Sequence, residues 1–130
     1  MTAEKSDDVY LWDMLNAARN VESMCAGRSL ADYLQDLILR SAVERQIEII
    51  GEAARHVSKS FQDEHAEIAW RPIMAQRHIL AHDYGEIDDR RIWNVATQHV
   101  PELVSLLVPL LPPEPEDQND APDQPTEKDS

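Results

Sequence analysis

Cysteine is nearly absent from these 130 residues: Cys25 stands alone, so no internal disulfide can form. No Cys/His spacing resembles a structural zinc site either, and a reducing compartment, the cytoplasm, is the expected home. Glycine occurs three times and aromatic residues make up 5% of the chain. No segment joins period-two alternation to the β-branched and aromatic enrichment of a strand, which argues against a sheet and leaves helices. Basic residues are scarce, with Lys and Arg totalling 12 against 25 Asp and Glu, a formal net charge of -13. That balance excludes broad, salt-driven adhesion to nucleic acid, so any RNA contact has to be local, through a few arginines in a cleft. Long apolar runs are missing, as is a basic start followed by an apolar stretch, so neither a membrane span nor export is expected.

What is present suffices for one domain. Apolar residues make up 42% of the chain, enough for a single core. From Pro112 to Ser130 the sequence is rich in Pro, Asp and Gln and has almost nothing to bury, which predicts a disordered acidic tail over 112–130. Residues 1–7 read as a flexible N-terminus, leaving 8–111 as the folded unit. Within it, Leu11, Leu15, Ala18, Val21 and Cys25 recur at helical spacing after Asp7 and Asp8, whose carboxylates can cap free amides, and Gly27 ends that helix. Ser29 and Asp32 mark the start of a short helix through Leu34. A long helix is predicted over about 36–60, with Leu39, Val43, Ile47, Ile50, Ala54 and Val57 as its buried stripe and Glu44, Glu48, Glu52 and Arg55 toward the other side. A fourth begins near Trp70 or Pro72 and breaks at Gly85; a fifth begins at Asp88 or Asp89 and carries Trp93, Ala96, Val100, Val104 and Leu107, with a kink at Pro101. Short connections make an all-α, up-and-down bundle of four to five helices the expected architecture.

The chemistry concentrates in Arg77-His78-Ile79-Leu80-Ala81-His82-Asp83-Tyr84. An arginine offers a fixed fork of donors to a phosphate, a histidine exchanges protons near neutral pH, and a tyrosine presents a modifiable hydroxyl. Trp70, Ile73, Met74, Leu80 and Ala81 define the apolar face of this helix, and Arg77 and Tyr84 fall inside it. A charge on a buried stripe requires a carboxylate partner, a subunit interface or a solvated cleft. In a regular helix Arg77 and His82 point roughly 140° apart, so a single copy does not close round one phosphate, whereas a two-fold dimer can bring the segment of both chains into one cleft. The same residues also read as an arginine in a packing ion pair, a satisfied interface histidine and an amphipathic tyrosine. His78, His82 and Asp83 could ligate a transition metal, although the His-Glu-x-x-His pattern is absent and no metal is expected. Cys25 reads as core rather than nucleophile, Glu48 and Glu52 as a solvated face, and the tail as a solubilising appendage.

The arginine, four residues, histidine, one residue, tyrosine pattern does not stand alone. Trp70 precedes Arg77 by seven, and Gly51-Glu52-Ala53 closes the stripe of the long helix. Together they resemble the HepT-like branch of the HEPN superfamily over about residues 8–110, the toxin half of toxin–antitoxin pairs whose partner is a minimal nucleotidyltransferase. His78 stands where many relatives have Asn, and the acidic charge and long acidic tail depart from the family.

The resemblance implies a metal-independent endoribonuclease, active as a homodimer whose cleft is built from the motif of both subunits. With the chemistry of the residues it points to Arg77 and His82 for catalysis and to His78 for phosphate positioning or a share in proton transfer; apart from the resemblance, Glu48 and Glu52, if functional, would orient Arg77 or line the partner's interface. Tyr84 matches the tyrosine that the antitoxin modifies with AMP from ATP, the chain itself using no cofactor. The expected products are a 2′,3′-cyclic phosphate and a 5′-OH on an RNA, tRNA among the candidates. The alternative is a non-catalytic HEPN dimer that regulates, or is regulated by, a nucleotidyltransferase; the negative charge favours it.

Overall fold

A computed structural model describes residues 6–81 and 88–111, and the side chains of these apart from 76–81. The described residues form an all-α bundle: α1 (Asp7–Cys25), α2 (Leu30–Gln35), α3 (Leu37–His56), α4 (Lys59–Glu64), α5 (Trp70–Ala81), α6 (Asp89–Asn94) and α7 (Val100–Leu107). A π turn, Val95–His99, joins α6 to α7, and a 3-10 turn, Val108–Leu110, follows α7.

Helices α1 and α3 form the centre and run antiparallel. Tyr10 near the start of α1 stacks on His56 at the end of α3 with ring centroids 5.1 Å apart, and Asn20 donates to Gln46 at 3.1 Å further along the pair. Their facing stripes are those the spacing predicts: Leu11, Leu15, Ala18, Val21 and Cys25 on one, Leu39, Val43, Ile47, Ile50 and Ala54 on the other, all buried. Each large aliphatic side chain so enclosed contributes roughly 1.5–3 kcal/mol. Helix α5 packs on α3, while α7 packs on α1. Trp70, Ala96, Val100 and Leu107 are buried members of the same core, with Ile73, Met74, Trp93 and Val104 packed at its edge.

The corners follow local chemistry. After α1, Ala26 (φ -59, ψ 129) and Gly27 (φ 75) make a type II turn closed by the Arg28 amide donating to the Cys25 carbonyl at 3.0 Å; Gly27 occupies the position that needs a left-handed backbone. Ser29 and Asp32 form a complete capping box at α2, and the Asp36 carboxylate caps α3 by accepting from the Leu39 amide at 3.0 Å. Two sequence expectations need correction. The helix expected over about 36–60 ends at His56: Val57 is extended, and the Ser58 hydroxyl accepts from the Phe61 amide at 3.2 Å to start α4. Serine competes for backbone amides better as a cap than inside a helix, which the apolar periodicity does not register. At α1 the N-cap is Ser6, without a side-chain cap bond. The Asp7 carboxylate turns instead to Ser58, accepting from its amide at 2.8 Å and its hydroxyl at 2.7 Å.

The last helix continues through Pro101, as its apolar pattern implies, by widening into the π turn immediately before it. Proline has no N–H to give and crowds the carbonyl four residues back; a wider turn there relieves the clash. Residues 1–5, 82–87 and 112–130, including the tail predicted to be disordered, lie outside the described residues.

Candidate active site

Helix α5 carries the first half of the motif, and its start is firmly set. The buried Trp70 donates its indole N–H to the His65 carbonyl at 3.0 Å and meets Phe61 edge-on at 6.2 Å. Pro72 sits in the first turn, where its missing N–H costs nothing. The backbone stays helical through Ala81, so Arg77 and His78 are consecutive positions on α5, Arg77 one turn beyond Ile73 on the same side. The side chains of Arg77 and His78 lie outside the described ones, and His82, Asp83 and Tyr84 lie outside the described residues altogether.

Glu48 and Glu52 are half-buried on α3, the helix against which α5 packs. Among the described residues Glu48 pairs with Arg45 at 3.0 Å, while Glu52 pairs with Arg55 at 3.8 Å and His56 at 3.3 Å. The Gly-Glu-Ala segment is thus the part of α3 where a helical face turns from buried Gly51 and Ala53 to a charged network centred on Glu52.

Between α5 and the α6–α7 segment lies a groove of about 290 Å³. Ile47, Ile50, Ile73 and Leu103 are among its apolar walls, and its polar ones are Glu67, Arg91, Asn94, His99 and Glu102. It opens one helical turn from the Arg77 backbone, on the side of α5 that Arg77 shares with Ile73.

A second polar cluster ties α6 in place. The Arg40 guanidinium donates to the Leu34 carbonyl at 2.6 Å and the Tyr33 carbonyl at 3.4 Å, capping the end of α2, and its Nε lies 3.6 Å from the Asp89 carboxylate at the start of α6. Tyr33 is fully buried, its ring tilted against Trp93 at 5.2 Å. Burial, with Glu44 and Asp89 nearby, pushes the Tyr33 hydroxyl well above the ordinary tyrosine range. The sequence reading did not single out Tyr33 or Arg40; a tyrosine inside a six-residue helix and an arginine on a long charged helix carry no periodic signal of their own.

Burial also raises the Cys25 thiol above its usual value, with Arg28 opposing, which keeps it protonated and suits a core residue. The Asp36 carboxyl is held below its usual range first by the Leu39 amide and then by Arg28. Among the described residues no group of three or more His, Cys, Asp or Glu is placed to hold a metal ion, and no helix is long and apolar enough to cross a membrane.

The model of the Ribonuclease HepT-like family matches residues 14–109, from the first turns of α1 to the end of the bundle. The chain belongs to this family. Among relatives, a protein of Thermococcus cleftensis named Probable ribonuclease HepT is 33% identical over 100 residues, 77% of this chain and 91% of the relative. Two whose names carry the word RNase are similar: one from Caldanaerobacter subterraneus subsp. tengcongensis, 32% identical over 99 residues (76% of this chain, 88% of the relative), and one from Methanocaldococcus jannaschii, 30% identical over 94 residues (72% and 86%). No solved structure matches. The HEPN identity inferred from the motif is therefore shown, and the matched span contains the motif, the Gly-Glu-Ala segment and the whole groove.

Proposed function

We propose that this HepT-like protein is a metal-independent endoribonuclease working as a homodimer in the cytoplasm, the toxin of a pair whose antitoxin is a minimal nucleotidyltransferase. The observation that carries the reading is the family match across residues 14–109, a span that includes Arg77, His82 and Tyr84. RNA brings its own nucleophile. The 2′-OH attacks the adjacent phosphorus as a base removes its proton, the bond from phosphorus to the 5′ oxygen breaks, and an acid protonates that oxygen. The products are a 2′,3′-cyclic phosphate and a 5′-OH. His82 serves as base or acid, Arg77 stabilises the nonbridging oxygens by charge-assisted hydrogen bonds, and His78 positions the phosphate. Glu48 and Glu52 support from α3. Neither a metal nor a cofactor enters these steps.

Control of the activity is assigned to Tyr84. Its hydroxyl attacks the α-phosphorus of ATP on the antitoxin, pyrophosphate leaves, and AMP stays on the tyrosine. The adduct adds a negative phosphodiester and a nucleoside beside the motif, repelling RNA and filling its place.

The test is incubation of protein shown by intact mass to carry no adduct with purified tRNA and total RNA in the absence of divalent metal, beside His82→Ala and Arg77→Ala. Cleavage by the parent and loss in both folded variants supports the assignment. An inert parent points to the second reading, a non-catalytic dimer that partners the nucleotidyltransferase, which the net charge of -13 favours.

A further inference from the structure

The arginines of this acidic chain are not evenly satisfied. Among the described residues Arg28 pairs with Asp36, Arg40 with Asp89, Arg45 with Glu48 and Arg55 with Glu52. Arg90 and Arg91, like the isolated Arg19 and Arg71, make no ion pair among the described residues, although here two carboxylates immediately precede them and the two cations are adjacent. Both of those carboxylates are engaged elsewhere. Asp88 caps α6, accepting from the Arg91 amide at 3.2 Å, and Asp89 faces Arg40 at 3.6 Å. Nor is Arg91 placed to satisfy a helix C-terminus, because α6 runs straight on into the π turn and α7. Both guanidinium side chains are exposed, and Arg91 lines the groove whose opposite wall is Pro72 and Ile73 of α5, one turn ahead of Arg77. Among the described residues, then, Arg90 and Arg91 are adjacent exposed cations without an ion pair beside the helix of the motif, and although Glu67 and Glu102 also line the groove, the two guanidiniums are free to take an anion supplied from outside.

We propose that Arg90 and Arg91 bind backbone phosphates of the RNA beside the scissile one, and that Arg40, by holding Asp89, keeps that site from being neutralised from within. The proposal rests on the ribonuclease reading and adds to it the path of the substrate, which runs from Arg77 across the mouth of the groove to α6. Arg40 is a positioning residue: it acts on RNA only through Asp89. Local contacts of this kind are what a net-negative chain requires if it is to bind a polyanion at all.

The experiment measures binding of the full-length protein to a fluorescent 2′-O-methyl RNA oligonucleotide, which lacks the nucleophile and stays intact, over a series of salt concentrations. Arg90→Ala and Arg91→Ala are each expected to weaken binding by roughly threefold to tenfold and to lower the slope of log affinity against log salt by on the order of 0.7, the value for one phosphate contact on a single strand. Arg40→Gln is expected to weaken binding as well, and Asp89→Asn added to it to restore binding without restoring thermal stability, which a purely structural role of Arg40 does not allow. In cleavage assays the loss in the arginine variants falls mainly on KM.

Unchanged affinity and slope in Arg90→Ala and Arg91→Ala, with a parent that cleaves RNA, overturn this proposal and leave the ribonuclease reading intact. A parent that binds the probe through these arginines but cuts no RNA overturns the ribonuclease reading alone. A change in self-association without a change in salt slope shows that Arg91 belongs to a protein interface, and the proposal fails.

Discussion

The buried hydroxyl of Tyr33 is a weak point of the core. The side chain is fully buried, and its oxygen has no hydrogen-bond partner among the described residues. A buried polar group left unsatisfied costs about 1–3 kcal/mol, whereas the ring itself is well used against Trp93. Tyr33→Phe keeps the ring and deletes the cost, so it is expected to stabilise the fold by about 1–2 kcal/mol. At roughly 4–8 °C per kcal/mol for a domain of this size, the midpoint of thermal unfolding should rise by several degrees. The same substitution has a signature in pH. Because the fold raises the Tyr33 pKa, first through burial and then through Glu44 and Asp89, the native state holds this proton more tightly than the unfolded chain. The contribution is complete below the ordinary tyrosine range near 10 and declines as pH rises above it. Thermal unfolding followed by circular dichroism at neutral and at strongly alkaline pH should therefore show the advantage of Tyr33→Phe widening at high pH. A variant less stable than the parent at neutral pH by about 1 kcal/mol would refute the reasoning, since it would mean that the hydroxyl makes a bond worth keeping.

Leu11→Ala, at a fully buried position of α1, is expected to cost about 2–5 kcal/mol in denaturant unfolding, while Leu37→Ala on the exposed start of α3 should stay within about 0.5 kcal/mol. Asp36→Asn should remove a pH dependence: with its pKa depressed by the Leu39 amide and Arg28, Asp36 stabilises the fold above the ordinary carboxylate range, and the contribution disappears as pH falls through the lowered value. Melting curves from neutral to acid pH should accordingly converge for parent and variant. In cells carrying the cognate nucleotidyltransferase, Tyr84→Phe is expected to remain toxic; neutralisation as complete as for the parent, through AMP transfer, would remove Tyr84 as the target.

The apolar stripes of α1 and α3 were legible because burial imposes a period of 3.6 that survives in the residues themselves, and the capping box at Ser29 and Asp32 because it needs two residues at a fixed offset. The end of α3 was not, since Ser58 is spoken for by Asp7, 51 residues away in sequence. Periodicity reports what faces the core and is silent on where a polar side chain finds its partner. The same limit applies at the site. Spacing placed Arg77 and His78 on one helix and marked Trp70 as its start, and the helix α5 is there. The Arg40 clamp, which joins the end of α2 to the start of α6, is a tertiary arrangement with no local signature, and Arg90 and Arg91 gain meaning only once Asp88 and Asp89 are seen to be engaged with other groups.

The bond pair between Asp7 and Ser58 links the beginnings of two helices far apart in the chain. Helix ends fray, and the first turn of α1 would normally do so independently of everything beyond it. Here, lifting that turn strips the Ser58 amide of its acceptor and loosens the entry to α4, so the two openings become one cooperative event. The Ser58 amide is thereby a remote reporter: its hydrogen-exchange rate reads the opening of the N-terminal turn, and trimming the chain past Asp7 should accelerate exchange at α4 before any change is felt in the core.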